Sequence, residues 1–340
     1  KIRTRVEQPK FGHILSEAKE WAKILECPYI SDLNQINTEH RMGELIRISE
    51  ALQEKRIAQI ADHIASHRNN IRLILIAGPS SSGKTSFAQR LQIQLRVNGL
   101  HPIMISLDDY FLNREDTPRN EKGQYDYESI DAIDTALFNQ NMLELLNGHK
   151  VQIPYYNFIT GKREWRDDNF LRLKEDQPII IEGIHGLNER LTADIARKSK
   201  YKIYISALTQ LNIDAHNRIP TTEVRFLRRL VRDHQFRGAK AIKTIKQWPD
   251  VRAGEEKYIF PFQEEADVLF NSALIYEIGV LKKYAVPLLE AIDRGEEGYT
   301  EARLILRFLQ YVDEIHDIDD IPNNSIFREF IGKSVFFKEQ

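Results

Sequence analysis

Residues 78–85 read Gly-Pro-Ser-Ser-Ser-Gly-Lys-Thr, two glycines separated by four residues and followed by a lysine and a threonine. Each part of this string has a use if the ligand is a polyphosphate. Glycines let the backbone curl until its N–H groups face phosphate oxygens, and a helix starting at the second glycine adds the partial positive charge of its N-terminus. Lys84 can reach the outer phosphates, and Thr85 can offer its hydroxyl to Mg²⁺. Pro79 removes no needed donor if its position points away from the ligand. The candidate nucleotide-binding set is Gly78, Ser80, Ser81, Ser82, Gly83, Lys84, Thr85 and Ser86, with ATP and Mg²⁺ as the implied cosubstrate and metal.

Other residues could complete a reaction at such a loop. The apolar run 102–107 stops at Asp108 and Asp109. A carboxylate at the C-terminal end of a parallel strand stands on the edge where ligands of open α/β sheets bind. There it can take the proton of a hydroxyl attacking the terminal phosphorus. One of the pair suffices, and the residues alone leave both open. The run 179–181 likewise stops at a carboxylate, Glu182. Arg225, Arg228, Arg229 and Arg232 fall at relative positions 0, 3, 4 and 7, one face of a helix, and Arg237 follows just before Gly238. Like charges on one stripe repel unless an anion neutralises them, and a triphosphate would. A guanine-reading Asn-Lys-x-Asp segment is absent from the sequence, which argues against a GTPase.

Taken together, these segments resemble the uridine kinase and phosphoribulokinase family of phosphate-loop kinases. Alignment of Ser106-Leu107-Asp108-Asp109-Tyr110 on the family pattern selects Asp108 as base and as a neighbour of the metal, with Asp109 in reserve. The resemblance implies further roles. Tyr125-Asp126-Tyr127 is similar to an aromatic-Asp-His segment in which the Asp binds ribose hydroxyls, a role that passes to Asp126. The segment 151–163 is similar to one supplying aromatic walls of a nucleoside pocket, here Tyr156 and Phe158, with Arg163 also on the substrate side. Glu182 would assist Mg²⁺ beside Thr85. Arg225 corresponds to a substrate-contacting arginine and Arg228 to one reaching phosphates as a catalytic group with Lys84, while Arg229, Arg232 and Arg237 complete a lid. The family's pyrimidine-reading histidine is replaced by Gly161 and the histidine of the ribose segment by Tyr127, which weakens a pyrimidine-specific reading. The activity implied is transfer of the γ-phosphate of ATP to a hydroxyl of a small molecule, a nucleoside first, with a polyol or sugar phosphate as the nearest alternative. A nucleotide switch that docks a partner is the reading from another class.

The elements that must position these residues are legible in outline. Residues 71–77 form a strand-sized apolar run ahead of the loop, and 85–97 have helical periodicity closed by Asn98-Gly99. Further strands are predicted at 102–107, 177–181 and 202–206, separated by helical stretches, the pattern of a doubly wound parallel sheet. The expected fold class is α/β, a phosphate-loop NTPase-type sheet with helical N- and C-terminal extensions. Helices are predicted at 14–25 and 42–64 with a connector at 32–39, and one long amphipathic helix at 296–316. The expected division is a helical extension 1–68, a kinase domain 69–293 with the arginine lid near 223–240, and a C-terminal helical tail 294–340.

Composition bounds the rest. In 340 residues, 48 Lys and Arg face 50 Asp and Glu, so no global positive field draws nucleic acid or an anionic membrane. A single cysteine, Cys27, excludes an internal disulfide and every cysteine-rich zinc site, and the cytoplasm is the expected compartment. The apolar runs are far shorter than the roughly 20 residues a membrane span needs. A homo-oligomer is compatible with the sequence, and the start at Lys1 suggests residues upstream. His63 and His67 lie one helical turn apart with no third metal ligand nearby, and His185, just after Glu182, is left unassigned, a lone histidine after a strand being more often structural than catalytic.

Overall fold

The computed structural model describes residues 8–121 and 123–337. Helices α1 (Pro9–Ile24), α2 (Ile30–Thr38) and α3 (Met42–Ser66) precede strand β1 (Leu73–Ala77). Helix α4 (Lys84–Val97), strand β2 (Ile103–Ser106) and helix α5 (Thr135–Leu146) follow. Four short strands come next, β3 (Val151–Gln152), β4 (Tyr155–Asn157), β5 (Lys162–Glu164) and β6 (Phe170–Leu171). Strands β7 (Ile179–Glu182) and β8 (Lys200–Ser206) rejoin the main sheet, and helices α6 (Thr221–Arg237) and α7 (Ala241–Tyr258) lead to β9 (Val268–Asn271). Helices α8 (Glu277–Glu290), α9 (Tyr299–Leu309) and the short turn α10 (Arg328–Ile331) close the described chain.

The main sheet has the order β2-β7-β1-β8-β9, and every pairing is parallel. A central parallel strand is buried on both faces, which is why β1 is apolar at every position rather than alternating. The period of two then divides its side chains. Leu73 and Leu75 join Ile179, Ile181 and the α5 residues Phe138 and Met142 on one face. Ile74 and Ile76 join Ile180, Ile203 and the α3 and α4 residues Ile60, Ile64, Phe87 and Leu91 on the other. Each such side chain contributes about 1.5–3 kcal/mol of burial free energy, before chain entropy is set against it. Register aligns Ile76, Glu182 and Ser106 across β1, β7 and β2. The phosphate loop, Glu182 and Asp108 therefore leave the sheet at one edge.

The predicted strands all appear, shifted by one or two residues at some ends, and β9 was not foreseen. The predicted connector 32–39 is instead helix α2, whose first turn is capped by Asp32 Oδ2 accepting from Tyr29 N at 2.9 Å. The single long helix expected over 296–316 is only α9, which starts after Gly298 at φ 97° and stops at Leu309. Helices on both flanks share apolar clusters with the central helices. Ile30, Leu33 and Met42 pack with Leu227 and Leu230 of α6, with Val280 of α8, and with Phe327 and Phe330 near the end of the chain. Among the described residues no helix is long and apolar enough to cross a membrane.

Helices α6 and α8 meet through a buried ion pair. Arg228 donates from Nε and Nη2 to the Glu277 carboxylate, with side-chain exposures of 0% and 1%. Removing one partner leaves the other charged and unsolvated. Arg228→Met should lower the unfolding free energy in urea by about 3–5 kcal/mol, and combining it with Glu277→Leu should restore most of the loss. Equal stability of the single variant and the parent would remove this pair as the α6–α8 tie.

Candidate active site

The loop 78–85 curls between β1 and α4. Gly78 passes so close to the Ile205 carbonyl of β8 that a Cβ would clash with it, and Gly83 holds φ 81° as the N-cap of α4. Both glycines are thus required by geometry. Lys84 Nζ donates to the Gly78 and Pro79 carbonyls at 3.0 and 3.2 Å, lying along the loop it would extend from to reach phosphates. The loop is also braced from behind. Arg225 Nη1 donates to Ser80 O at 3.1 Å, Arg228 Nη1 to Ser81 O at 3.3 Å, and Ser272 Oγ to Ser82 O.

Asp108 and Asp109 stand in the turn that follows β2, and they separate in role. Asp109 Oδ1 accepts from Tyr156 N at 3.3 Å and so fastens β4. Asp108 has only its backbone engaged, its N–H donating to Ser106 Oγ at 3.2 Å, and its side chain opens into the cleft. The protein walls around that cleft push the Asp108 carboxyl above its ordinary range, and the positive charges of Lys84 and Arg237 pull it back. Across the edge, Thr85 Oγ1 donates to Glu182 Oε1 at 3.3 Å. Burial first, then the nearby charges of Asp108 and Glu329, lift Glu182 to about 7 against the pull of Lys84.

This donor set suits Mg²⁺. That ion takes only one or two carboxylates with phosphate oxygens and waters, which agrees with the lack of any three-ligand acidic or histidine cluster among the described residues. A hydroxyl and a carboxyl already in contact, the latter raised by burial, would gain from a divalent ion displacing its proton. His63 and His67 stack with ring centroids 4.5 Å apart and gather no third ligand. His185 is buried and its pKa is pushed down to about 4 by burial, so its ring is neutral beside Tyr258.

The arginine stripe divides in a way its spacing did not disclose. Arg225 and Arg228 turn inward, Arg225 forming a two-pronged pair with Glu255 and Arg228 with Glu277. Each expected ligand-contacting arginine thus meets a buried carboxylate and a loop carbonyl. Arg229, Arg232 and Arg237 stay on the cleft side. All three sit on Asp233, at 3.3, 2.9 and 3.5 Å, their only acidic partner within salt-bridge range among the described residues. Arg229 Nη1 also donates to Ser80 Oγ of the loop at 2.8 Å. One carboxylate under three guanidiniums leaves net positive charge facing the loop.

On the other side of Asp108 lies an aromatic wall. Phe111 packs against Tyr127, Tyr156 and Phe158 at centroid distances of 6.2, 5.5 and 6.4 Å. Tyr156 is buried and Phe158 exposed. Asp126 is held by the hydroxyl of Tyr258 from α7, which donates to its Oδ2 at 2.8 Å. Arg163, expected on the substrate, instead pairs with Asp134, the cap of α5, at 2.9 Å and donates to Phe111 O at 3.3 Å. Its charge holds the wall in place. At Gly161, with φ 69°, the guanidinium of Arg114 occupies the space a side chain would take, and its Nη2 donates to Phe158 O at 3.1 Å.

Several residues of the cleft were not singled out by the sequence. Glu255 reaches from α7 to accept from the Ser80 amide at 3.1 Å, and Glu329 reaches from α10 to accept from Ser86 Oγ at 2.7 Å. Glu128 packs against Gly254 of α7, where any side chain would strike it. Its one available signal was its place between Asp126 and Asp131 in an acidic stretch; the other two carry none, because their partners lie far along the chain.

Residues 73–277 match the Phosphoribulokinase / Uridine kinase family. Over 203 residues the chain is 30% identical to a uridine kinase of Saccharomyces cerevisiae, covering 59% of this chain and 36% of that one. Over 201 residues it is 28% identical to a uridine kinase of Staphylococcus haemolyticus, covering 59% of this chain and 87% of that one. A solved structure described as a possible uridine kinase from Bacillus stearothermophilus aligns at 19% identity over 62% of this chain and 97% of that one, with a TM-score of 0.39.

Glu128 makes the site sensitive to pH. Burial, then the charge of Glu255, push its carboxyl to about 7 despite Arg229 and Lys84. A carboxyl raised on folding keeps a proton that the unfolded chain has lost. Its contribution is therefore fully present below about pH 4.5 and fades as pH rises through about 7. Glu128→Gln should flatten the fall in nucleotide-free melting stability across that window by roughly 1–2 kcal/mol. Parallel pH profiles for the variant and the parent would show that Glu128 is not the group responsible.

Proposed function

The chain belongs to the phosphoribulokinase/uridine kinase family, and from that premise we propose that it transfers the γ-phosphate of ATP to a hydroxyl of a small molecule, a nucleoside first. The observation that carries this reading is the shared sheet edge. The loop, Asp108 and Glu182 leave β1, β2 and β7 side by side, and the under-neutralised group Arg229, Arg232 and Arg237 faces them. The triphosphate lies along the loop amides and the first turn of α4, where Lys84 swings from the loop carbonyls onto phosphate oxygens. The cleft-side arginines hold the charge that spreads over the transferred group.

Asp108 takes the proton of the acceptor hydroxyl as its oxygen bonds to the terminal phosphorus and the bond from that phosphorus to the β,γ-bridging oxygen breaks, releasing ADP. A carboxylate whose pKa lies above its usual range is a stronger base than an unperturbed one, and the charges of Lys84 and Arg237 favour its ionised form. When bound, Mg²⁺ neutralises phosphate oxygens, and Thr85 and Glu182 are the residues that would hold it. Asp126, fixed by Tyr258, and the walls from Tyr156, Phe158 and Phe111 suit a sugar hydroxyl pair joined to a flat ring.

The Arg114 guanidinium beside Gly161 favours a second acceptor class. With Nη2 given to Phe158 O, the remaining N–H donors of this guanidinium at the rim of the aromatic wall suit a phosphate or carboxylate on the acceptor as well as a carbonyl-bearing base. A panel of nucleosides, sugar phosphates and other polyols, scored by acceptor-dependent ADP release, separates the two. Should no hydroxyl compound accelerate ATP turnover while nucleotide alters the binding of a partner, the chain is a switch instead.

Asp108→Asn should reduce transfer to the best acceptor by about 10²–10⁴-fold while ATP affinity by calorimetry is retained. Turnover equal to the parent's would reject Asp108 as the base.

A further inference from the structure

Beyond residue 277, where the family match ends, the chain returns to the loop. Ile326 packs on Gly83, and the Phe330 ring lies 4.8 Å from the Arg228 guanidinium. The segment is tightly tied. Arg328 donates to the Ile321 carbonyl at 2.7 Å, Ser325 Oγ donates to Glu50 of α3, and Val335 N donates to Asn323 O at 2.9 Å. Between this segment and α6 lies a cavity of about 610 Å³, lined by Thr85, Phe236, Asn323, Val335 and Phe337 among others. That volume falls within the range of small-molecule sites, about 300–1,000 Å³. Its walls join apolar rings to an amide and to charged groups, Arg232, Arg237, Arg328, Lys333 and Glu329.

The position of Glu329 ties this cavity to the loop. Its Oε2 accepts from Ser86 Oγ at 2.7 Å and from Ser86 N at 3.4 Å, so a carboxylate stands on the donors that follow Thr85 in the first turn of α4. Those donors attract anions by their place at a helix N-terminus. A nucleotide with its outer phosphates in the loop and its inner phosphate on Ser86 would have the cavity beside Thr85 and Glu329 as adjoining space for its nucleoside.

We propose that residues 323–337 form one wall of the nucleotide site, the cavity taking the purine nucleoside half of ATP while Glu329 holds the seat of the inner phosphate and gives it up on binding. The inference rests on the nucleotide reading above and adds a base-side wall built from chain outside the family match. Phe236 and Phe337 supply aromatic lining, and Asn323 offers a donor and an acceptor to a base edge.

The test measures binding of ATP and of inorganic tripolyphosphate to the full chain by calorimetry with Mg²⁺ present. Tripolyphosphate reports the loop alone. Val335 is 60% exposed, so Val335→Trp can fill the cavity without disturbing the core, and Phe236→Ala removes a ring from the opposite wall. Each should weaken ATP by about tenfold, the scale of one lost base-stacking contact, and leave tripolyphosphate unchanged. Glu329→Gln should tighten both probes by removing a competing charge. ATP affinity unchanged in both cavity variants, or equal losses for ATP and tripolyphosphate, overturns the wall. A parent chain that binds neither probe overturns the nucleotide reading itself, and the wall with it.

Discussion

Two guanidiniums buried behind the phosphate loop, each neutralised by its own buried carboxylate, are the constraint on which the cleft depends. Arg225 on Glu255 and Arg228 on Glu277 place fixed donors against the carbonyls of Ser80 and Ser81. Loop carbonyls satisfied from behind are held in place by partners on the far side from the cleft. The same pairs join α6 to α7 and to α8, so the loop, the arginine helix and the following helices form one braced unit. Breaking either pair would leave a charge stranded where the exposures are 2% or less.

This bracing explains how one arginine stripe serves two purposes. Relative positions 0, 3, 4 and 7 share one face of this 17-residue helix, so depth and place along the axis divide the arginines. Arg225 and Arg228 are buried against α7, α8 and the loop's back, where Glu255 and Glu277 meet them. Arg229, Arg232 and Arg237 are less buried and share Asp233 as their counter-charge. The imbalance is thus confined to the side where a triphosphate would lie. Carboxylates from distant elements, Glu255 and Glu329, meanwhile occupy loop and helix donors that an anion would otherwise take.

The acceptor side follows a different rule. Its wall is aromatic and rests on a charged tie, Arg163 to Asp134, that joins the β4–β5 hairpin to the cap of α5. Asp126 is oriented by Tyr258, so helix α7 touches both the loop, through Glu255, and the aromatic side of the cleft. Gly161 and Arg114 together define the rim: the glycine leaves the room, and the guanidinium from a neighbouring turn fills it.

What the residue string determined by itself is local. The loop, the apolar strands, the carboxylates that end β2 and β7, and the helical spacing of the arginines are each written in a few adjacent positions, because backbone curvature and side-chain period depend on near neighbours. The family resemblance and the parallel sheet rest on those segments. Only the tertiary structure decided which arginines face the cleft, that Asp109 and Arg163 are ties, that Glu128, Glu255 and Glu329 enter the site, and that the end of the chain walls the cavity beside Thr85. The reason is distance along the chain: Arg225 meets Glu255 across 30 positions and Ser86 meets Glu329 across 243. A charge seeks whichever opposite charge the packing brings within reach, and no spacing rule in the sequence names that partner.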